Sequence, residues 1–138
     1  MFKKNFFIIF SQVASQFVTL SRKVGKVKNL MPIIEITNEN FKNEFAETKT
    51  PVVMDFWGPS CTVCKNLMPD YSELAESPEY KNIKFCSVDT SQNRRVAVNL
   101  RVMSLPTFLF FMDGREIKRL SGSKIRIQDI KNGLEKFV

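Results

Sequence analysis

Two cysteines separated by two residues form the part of the sequence best suited to chemistry. Cys61 and Cys64 follow an apolar, β-branched run at residues 51–57 and a Gly-Pro turn, and a helix is predicted to begin at them. Backbone N–H groups at the start of a helix favour negative charge, so the first thiol loses its proton easily. The second thiol lies one helical turn away and can close a disulfide bond with the first. This arrangement predicts thiol–disulfide exchange.

Two other uses of the cysteine pair are open at this stage. A zinc site would need further ligands, but the chain has no His, and Cys86 is the only other thiol. An inert structural disulfide between residues three apart would constrain little of the fold. Cys86 falls in an apolar run, which predicts a buried and unreactive core cysteine. The absence of His also excludes Ser-His-Asp and Cys-His catalysis.

The charge of the chain is concentrated in its first thirty residues. The net charge of +7 includes six Lys and Arg residues at positions 1–30, where no Asp or Glu occurs. Residues 31–138 carry the other 15 basic residues against all 14 acidic ones, so this part of the chain is close to neutral. A nucleic-acid-binding function, which needs a basic surface, is therefore not expected.

The segments after residue 30 alternate between strand and helix patterns. Their order, β-α-β-α-β-α-β-β-α, predicts a single α/β domain over residues 31–138. Thr37 or Asn38 is expected to cap the first helix, and Asp113-Gly114 is a strong hairpin signal. The predicted strands cover residues 33–36, 51–57, 83–89, 107–112 and 116–120, and the predicted helices lie near residues 41–45, 61–75, 94–100 and 127–137.

Residues 1–30 form a basic N-terminal extension that admits three interpretations. It can be a translated leader or flexible extension, with Met31 as an alternative start, an export signal or membrane anchor, or an organellar targeting segment. The apolar run after Lys3-Lys4 is interrupted by Ser11-Gln12, which leaves it too short and too polar for a membrane span. Membrane contact is expected only if this extension is a signal or an anchor.

A set of residues around the cysteine pair resembles the thioredoxin family. Pro106 directly precedes an apolar strand about forty residues after the cysteines, as the cis-proline does in that family. The resemblance covers residues 31–138 and implies the thioredoxin fold, a central mixed sheet flanked by helices. Residues 68–70 and 93–95 also resemble thioredoxins that accompany glycine reductase in anaerobic bacteria. The other residues that carry the family resemblance are Asp55, Trp57, Lys65, Pro69, Asp113-Gly114 and Gly122.

The resemblance implies a role for each of these side chains. Cys61 corresponds to the attacking cysteine, Cys64 to the resolving cysteine, and Asp55 to the buried carboxylate that moves the second proton. A carboxylate buried in an apolar strand has a raised pKa and can accept a proton near neutral pH. Four residues correspond to the substrate-binding surface: Trp57, Leu105, Pro106 and Gly122. Two residues correspond to supporting positions: Lys65 and Pro69.

The resemblance also implies how such a protein works in a cell. A protein-disulfide reductase of this family needs no metal and no organic cofactor, because its redox group is the disulfide itself. Thioredoxin reductase would restore the dithiol with electrons derived from NADPH, and disulfide-containing proteins would be the targets. We expect a cytoplasmic monomer. The alternatives are an exported or membrane-tethered oxidant or isomerase, and an interaction subunit that uses the fold only to bind a partner.

The active-site sequence departs from the family pattern at two places. Thr62-Val63 stands between the cysteines where thioredoxins usually carry Gly-Pro, a pair that helps to set the reduction potential. Ser60 stands where they usually carry a second tryptophan before the first cysteine. The first change leaves the direction of electron flow open, and the second is expected to change partner preference.

Overall fold

The computed structural model of the protein describes residues 33–45 and 48–138. The predicted N-terminal extension, residues 1–30, lies outside the described residues. No helix within the described ranges is both long and apolar enough to cross a lipid bilayer.

The described residues form five strands and four α-helices in the predicted order. The element bounds match the predictions to within one or two residues at most ends. Two short 3₁₀ turns, Pro78–Tyr80 and Glu135–Phe137, were not predicted. The strands are β1 (Ile34–Glu35), β2 (Val52–Trp57), β3 (Lys84–Asp89), β4 (Thr107–Met112) and β5 (Arg115–Ser121), and the helices are α1 (Phe41–Phe45), α2 (Thr62–Glu76), α3 (Arg94–Asn99) and α4 (Ile127–Leu134).

The strands form one mixed sheet in the order β1-β3-β2-β4-β5. Strands β1, β3 and β2 are parallel, whereas β4 runs antiparallel to β2 and β5 antiparallel to β4. The β4–β5 hairpin turns at Asp113 and Gly114, whose φ angles of 51° and 76° are those that a tight hairpin requires. The predicted α/β class and the hairpin are confirmed.

The sheet separates two apolar layers. Because side chains alternate along a strand, Val53 of β2 packs with α2 and α4, while Val52 and Met54 pack on the opposite face with residues of α3. The first layer contains Tyr71, Phe108 and the buried residues of α4. The second contains Cys86 and the buried residues of α3. Strand β2 is buried on both faces and so reads as a continuous apolar run interrupted only by Asp55.

The chain before α1 differs from the prediction in two respects. Strand β1 spans only Ile34–Glu35, shorter than the predicted 33–36, although the Ile36 N–H still donates to the Ser87 carbonyl at 2.8 Å. The Thr37 hydroxyl accepts from the Asn40 N–H at 3.1 Å in the turn that precedes α1, so it holds this turn rather than an N–H of the helix itself. The Asn38 side chain instead accepts from the Val96 N–H in the first turn of α3, at 3.2 Å.

Candidate active site

The site forms at the sheet edge where β2 and β3 end and β4 begins. The parallel strands β2 and β3 both end there, and the register places Trp57 beside Asp89. The N–H and hydroxyl of Thr90 both donate to the Trp57 carbonyl, at 2.9 and 3.0 Å. These bonds fix the end of β2 immediately before the turn that carries the cysteines. Loops at the carboxyl ends of parallel strands are common binding sites in α/β proteins.

Cys61 and Cys64 form a disulfide bond at the start of α2. Cys61 is the N-cap residue, and its Sγ accepts the backbone N–H of Cys64 at 3.2 Å. The Cys61 N–H in turn donates to the Gly58 carbonyl at 3.0 Å, which fixes the preceding turn. The Cys61 sulfur therefore lies at the positive end of a fifteen-residue helix, where negative charge is favoured.

The two sulfur-bearing residues differ in solvent access. Cys61 is half-buried, whereas Cys64 is only 1% exposed. Cys64, Leu67 and Tyr71 lie on the face of α2 that packs toward the sheet. A molecule approaching from solvent can therefore reach the first cysteine but not the second.

Asp55 is a buried carboxyl without a hydrogen-bonding partner. It is 1% exposed, and none of the described residues donates a hydrogen bond to either carboxylate oxygen. Burial raises the pKa of Asp55 from 3.8 to about 7, because desolvation disfavours the charged form. Alternation along β2 places it on the same sheet face as Val53, which is the face that α2 covers. The predicted burial of Asp55 is thus present, and the carboxyl can take up a proton near neutral pH.

The Tyr71 hydroxyl lies in the same layer but is engaged elsewhere. It approaches the Cys86 carbonyl at 2.7 Å and the Val53 carbonyl at 3.2 Å. Burial raises the pKa of Tyr71 well above its ordinary value, and the Asp55 carboxylate raises it further. Tyr71 therefore stays protonated, and its hydroxyl donates to backbone carbonyls. It donates no hydrogen bond to Asp55.

The loop before β4 approaches the cysteine turn. The Leu105–Pro106 peptide bond is cis, as the sequence resemblance implied. A Cβ atom added to Gly58 would lie 3.1 Å from Cδ1 of Leu105, so a larger residue at this point of the turn would require the Leu105 side chain to shift by a few tenths of an ångström. Gly122, with φ of 105°, donates its N–H to the Pro106 carbonyl at 2.9 Å. The structure therefore brings three of the predicted substrate-binding residues together: Leu105, Pro106 and Gly122.

The remaining predicted site residues lie around this centre. Trp57 is half-buried at the end of β2, next to the turn. Lys65 is exposed in the first turn of α2, and Pro69 is exposed in the interior of this helix, which continues to Glu76. Their supporting roles stay predictions.

Sequence reasoning missed two residues that shape the site. Thr90 holds the end of β2, and the Thr107 hydroxyl donates to the Ser104 carbonyl at 2.6 Å, which holds the start of β4. Each stands directly at a strand boundary on the site edge, and this position was the signal that could have identified them. Within residues 33–45 and 48–138, no group of three or more His, Cys, Asp or Glu residues is arranged to hold a metal ion.

Three comparisons with known proteins agree with this geometry. The thioredoxin of Acetoanaerobium sticklandii is 29% identical over 106 residues, which cover 77% of this chain and 100% of the relative. Thioredoxin 1 of Nostoc sp. is 34% identical over 89 residues, covering 64% of this chain and 82% of the relative. A chain in the crystal structure of a ferredoxin:thioredoxin reductase–thioredoxin f2 complex matches with a TM-score of 0.68 and 25% identity. That match covers 76% of this chain and 94% of the other.

The family assignment rests on the whole domain rather than on the cysteines alone. The family model for thioredoxin matches residues 32–136. These residues include the five-stranded sheet, the disulfide at the start of α2 and the cis-proline loop. The fold and the disulfide-bonded pair thus agree with the sequence relationships, and the chain belongs to the thioredoxin family of protein disulfide oxidoreductases.

Proposed function

We propose that this protein is a cytoplasmic reductant of protein disulfides in which Cys61 attacks and Cys64 resolves. The observation that carries the proposal is the difference between the two sulfurs. Cys61 is half-buried and accepts a backbone N–H at the start of α2, whereas Cys64 is buried beneath it. Attack by a thiolate requires both access to the target and stabilisation of negative charge, and only Cys61 has both.

The first step forms a mixed disulfide. The Cys61 thiolate attacks one sulfur of the target disulfide, the target S–S bond breaks, and one target sulfur leaves as a thiolate that takes a proton. The N–H of Cys64, which lies 3.2 Å from the Cys61 sulfur, favours the thiolate before the attack.

The second step releases the target and closes the Cys61–Cys64 disulfide. The Cys64 thiol gives its proton to the Asp55 carboxylate and attacks the Cys61 sulfur, so the second target sulfur leaves as a thiolate. Two electrons have then moved from the cysteine pair to the target. The pKa of about 7 at Asp55 suits this role, since the carboxylate can both accept and release a proton near neutral pH.

The substrate chain is aligned by the loop next to the cysteines. Leu105 lies against the turn that carries Cys61, and we assign its backbone the role of hydrogen-bonding an extended target peptide. Pro106 and Gly122, which are joined by a hydrogen bond, form the adjoining surface, and Trp57 packs at the end of β2. Lys65 and Pro69 support the helix that presents the cysteines.

The redox cycle requires a partner that restores the dithiol. A thioredoxin reductase that passes on electrons from NADPH is the expected donor, and the likeness to a chain crystallised with ferredoxin:thioredoxin reductase supports a reductase partner in general terms.

We further propose that residues 31–138 act as a monomeric domain and that residues 1–30 are not needed for exchange. Cell fractionation and the N-terminal sequence of the native protein test the compartment and the start.

Substitution of the resolving cysteine tests the order of attack. Cys64→Ser is expected to accumulate mixed disulfides between Cys61 and target proteins, because the second step is blocked. Cys61→Ser, the matched control, should trap none. Mixed disulfides that form through Cys64 in the Cys61→Ser variant, and not in the other, would overturn the assignment.

The reduction potential of the cysteine pair tests the direction of electron flow. Equilibration of the full chain against glutathione is expected to give a value near about −270 mV, which is typical of a general reductant. A value between about −180 and −120 mV would instead favour the exported oxidant or isomerase, since proteins of that type lie in this range.

A further inference from the structure

An open groove lies between the second half of α2 and helix α4. It has a volume of about 470 Å³, which is within the range of small-molecule sites in proteins. Leu74 and Ile127 supply apolar side chains to its wall. None of the described residues that line it belongs to the cysteine turn or to the loop before Pro106. The groove is therefore separate from the surface that carries out disulfide exchange.

The charge of the groove is mostly negative. Four exposed acidic residues line it, against one basic residue, Lys131, among the described residues. Neither of the two ion pairs formed within residues 33–45 and 48–138 includes any of these acidic residues. The four are Asp70 and Glu73 of α2, Glu79 of the 3₁₀ turn that follows it, and Glu135 just after α4. Since residues 31–138 are close to neutral as a whole, this excess of acid is a local feature.

The end of α2 adds to the negative charge. The C-terminal end of a helix carries a partial negative charge, which favours nearby cations and disfavours nearby acids. The last turn of this fifteen-residue helix contains Glu73 and Glu76 and no basic residue. Acids at this position reduce the stability of the helix, and a bound cation would offset that loss.

Tyr80 supplies a hydrogen-bonding group that the described protein leaves unused. Tyr80 lines the groove although it is only 5% exposed, and its ring packs against Phe85 at a centroid distance of 6.5 Å. No described residue forms a hydrogen bond with its hydroxyl. Burial raises the pKa of Tyr80, and the carboxylates of Glu79 and Glu135 raise it further, which places both near the hydroxyl. The protonated hydroxyl can therefore accept an N–H from a ligand that lies beside these carboxylates.

The negative charges are spread along the groove. A helix rises by about 1.5 Å per residue, so Asp70 lies about 10 Å from Ser77, which also lines the groove next to the turn that carries Tyr80. Leu74 lies between these two positions on α2. The groove thus presents acid at two places with apolar surface between them. A ligand that fits this pattern has cationic groups separated by methylene groups.

We propose that this groove binds an aliphatic polyamine, which is a chain of methylene groups that carries an ammonium group at each end. The methylene chain lies along Leu74 and Ile127. One ammonium group meets the carboxylates of α2, and the other meets the Tyr80 hydroxyl and the carboxylates beside it. A lysine side chain of a partner protein supplies only one ammonium group, which favours a free polyamine as the occupant.

Titration of the full chain with matched cations tests the proposal. Isothermal titration calorimetry compares spermidine, a linear polyamine, with butylamine, which has one ammonium group, with Mg²⁺, which is compact, and with a short peptide that carries two lysines. Glu73→Gln is compared with Glu76→Gln, because Glu76 is on the same helix, is equally exposed and does not line the groove. Tyr80→Phe removes the hydroxyl and keeps the ring. Amide ¹H–¹⁵N NMR shifts locate the bound spermidine.

Spermidine is expected to bind at least about tenfold more tightly than butylamine or Mg²⁺, because its ammonium groups engage both ends of the groove. Glu73→Gln and Tyr80→Phe should each weaken spermidine binding by about fivefold, and Glu76→Gln by less than about twofold. Added salt should weaken the binding. The amides of Leu74 and Ile127 should shift, and each variant should keep its rate of disulfide reduction, which also checks that it has folded.

Several results would overturn the polyamine site. Absence of spermidine binding at low salt would do so, as would amide shifts confined to other parts of the protein. Equal binding of Mg²⁺ and spermidine, or equal effects of Glu73→Gln and Glu76→Gln, would indicate general attraction between charges. Tighter binding of the lysine peptide than of spermidine would assign the groove to a protein partner instead.

Discussion

Asp55 and Cys86 are two buried acids, one register step apart, on opposite faces of the same sheet. Asp55 lies beside Ser87 in the register of β2 and β3, and Cys86 lies beside Met54. Each is 1% exposed. Asp55 lies on the face covered by α2, with the disulfide, and Cys86 lies in the apolar layer next to α3.

Burial raises the pKa at both positions, with opposite consequences for reactivity near neutral pH. It raises the pKa of Asp55 to about 7 and the pKa of Cys86 from 9.0 to about 12. The carboxyl therefore exchanges its proton near neutral pH, while the thiol stays protonated and unreactive. The same physical cause produces a proton acceptor on one face and an inert core residue on the other, because the starting pKa values lie on either side of neutrality.

The largest expected effect is the difference in disulfide-reductase activity between Cys61→Ser and Cys86→Ala. Cys61→Ser should reduce disulfide-reductase activity to the uncatalysed background, since no attacking thiolate remains. Cys86→Ala should leave the rate at which the disulfides of insulin or a similar protein substrate are reduced within about twofold of the original, because the thiol is buried and protonated. Loss of turnover in Cys86→Ala, with the fold intact by circular dichroism, would make the third thiol part of the chemistry.

The next effect is on the pH dependence of stability. Between pH 3.8 and about 7 the folded Asp55 keeps a proton that the unfolded chain has lost, so stability falls as pH rises through this window. Asp55→Asn removes this loss. The free energy of unfolding of the variant minus that of the original protein should therefore rise by about 3 kcal/mol between pH 5 and pH 8.

Urea unfolding at the two pH values measures this difference, because titrations of the other groups cancel in the subtraction. The same substitution should slow disulfide reduction at pH 7 and alter the pH profile of the rate. A stability difference that does not change with pH would mean that Asp55 is ionised throughout this range and that burial does not raise its pKa.

Cys86→Ala tests the pH dependence of stability on the other face of the sheet, where the buried group is a thiol. The thiol pKa is raised, so its contribution to the pH dependence of stability is confined to the range between pH 9.0 and about 12. The substitution should cost about 1 kcal/mol through lost packing, and this cost should be the same at pH 5 and pH 8. A cost that grows between these values would show that the thiol ionises near neutrality.

The smallest expected effect concerns Tyr71, which connects the two groups. Its hydroxyl bonds the carbonyls of Val53 and Cys86 and not Asp55. Tyr71→Phe should therefore cost about 1 kcal/mol in unfolding free energy and leave the midpoint of the Asp55 titration near 7. A downward or upward movement of that midpoint by a full pH unit would show that the hydroxyl acts on the carboxyl directly.

Patterns that are local in sequence predicted most of the fold. The apolar run of β2, the Asp113-Gly114 turn and the spacing of Cys61 and Cys64 each fix their own element, because periodicity and turn chemistry act over a few residues. The cis peptide before Pro106 was implied by the family resemblance rather than by any local pattern.

Features that depend on distant contacts could not be predicted in this way. Asn38 caps a helix 58 residues further along the chain, which no local pattern reveals. The hydrogen bonds of the Tyr71 hydroxyl could not be predicted, because the sequence pattern shows only that Tyr71 lies on the apolar face of its helix. Arg119 of β5 donates to the Leu100 carbonyl at the end of α3, 19 residues earlier in the chain, and this contact too has no local signal.

The most direct test of the account is the titration of Asp55 itself. The carboxyl carbon of Asp55 can be followed by ¹³C NMR in the oxidised protein and assigned by its absence in Asp55→Asn. Burial of the carboxyl without a hydrogen-bonding partner predicts a midpoint near pH 7. A midpoint near the ordinary value of 3.8 would contradict it, since Asp55 would then be ionised throughout the neutral range and could not take the proton of Cys64.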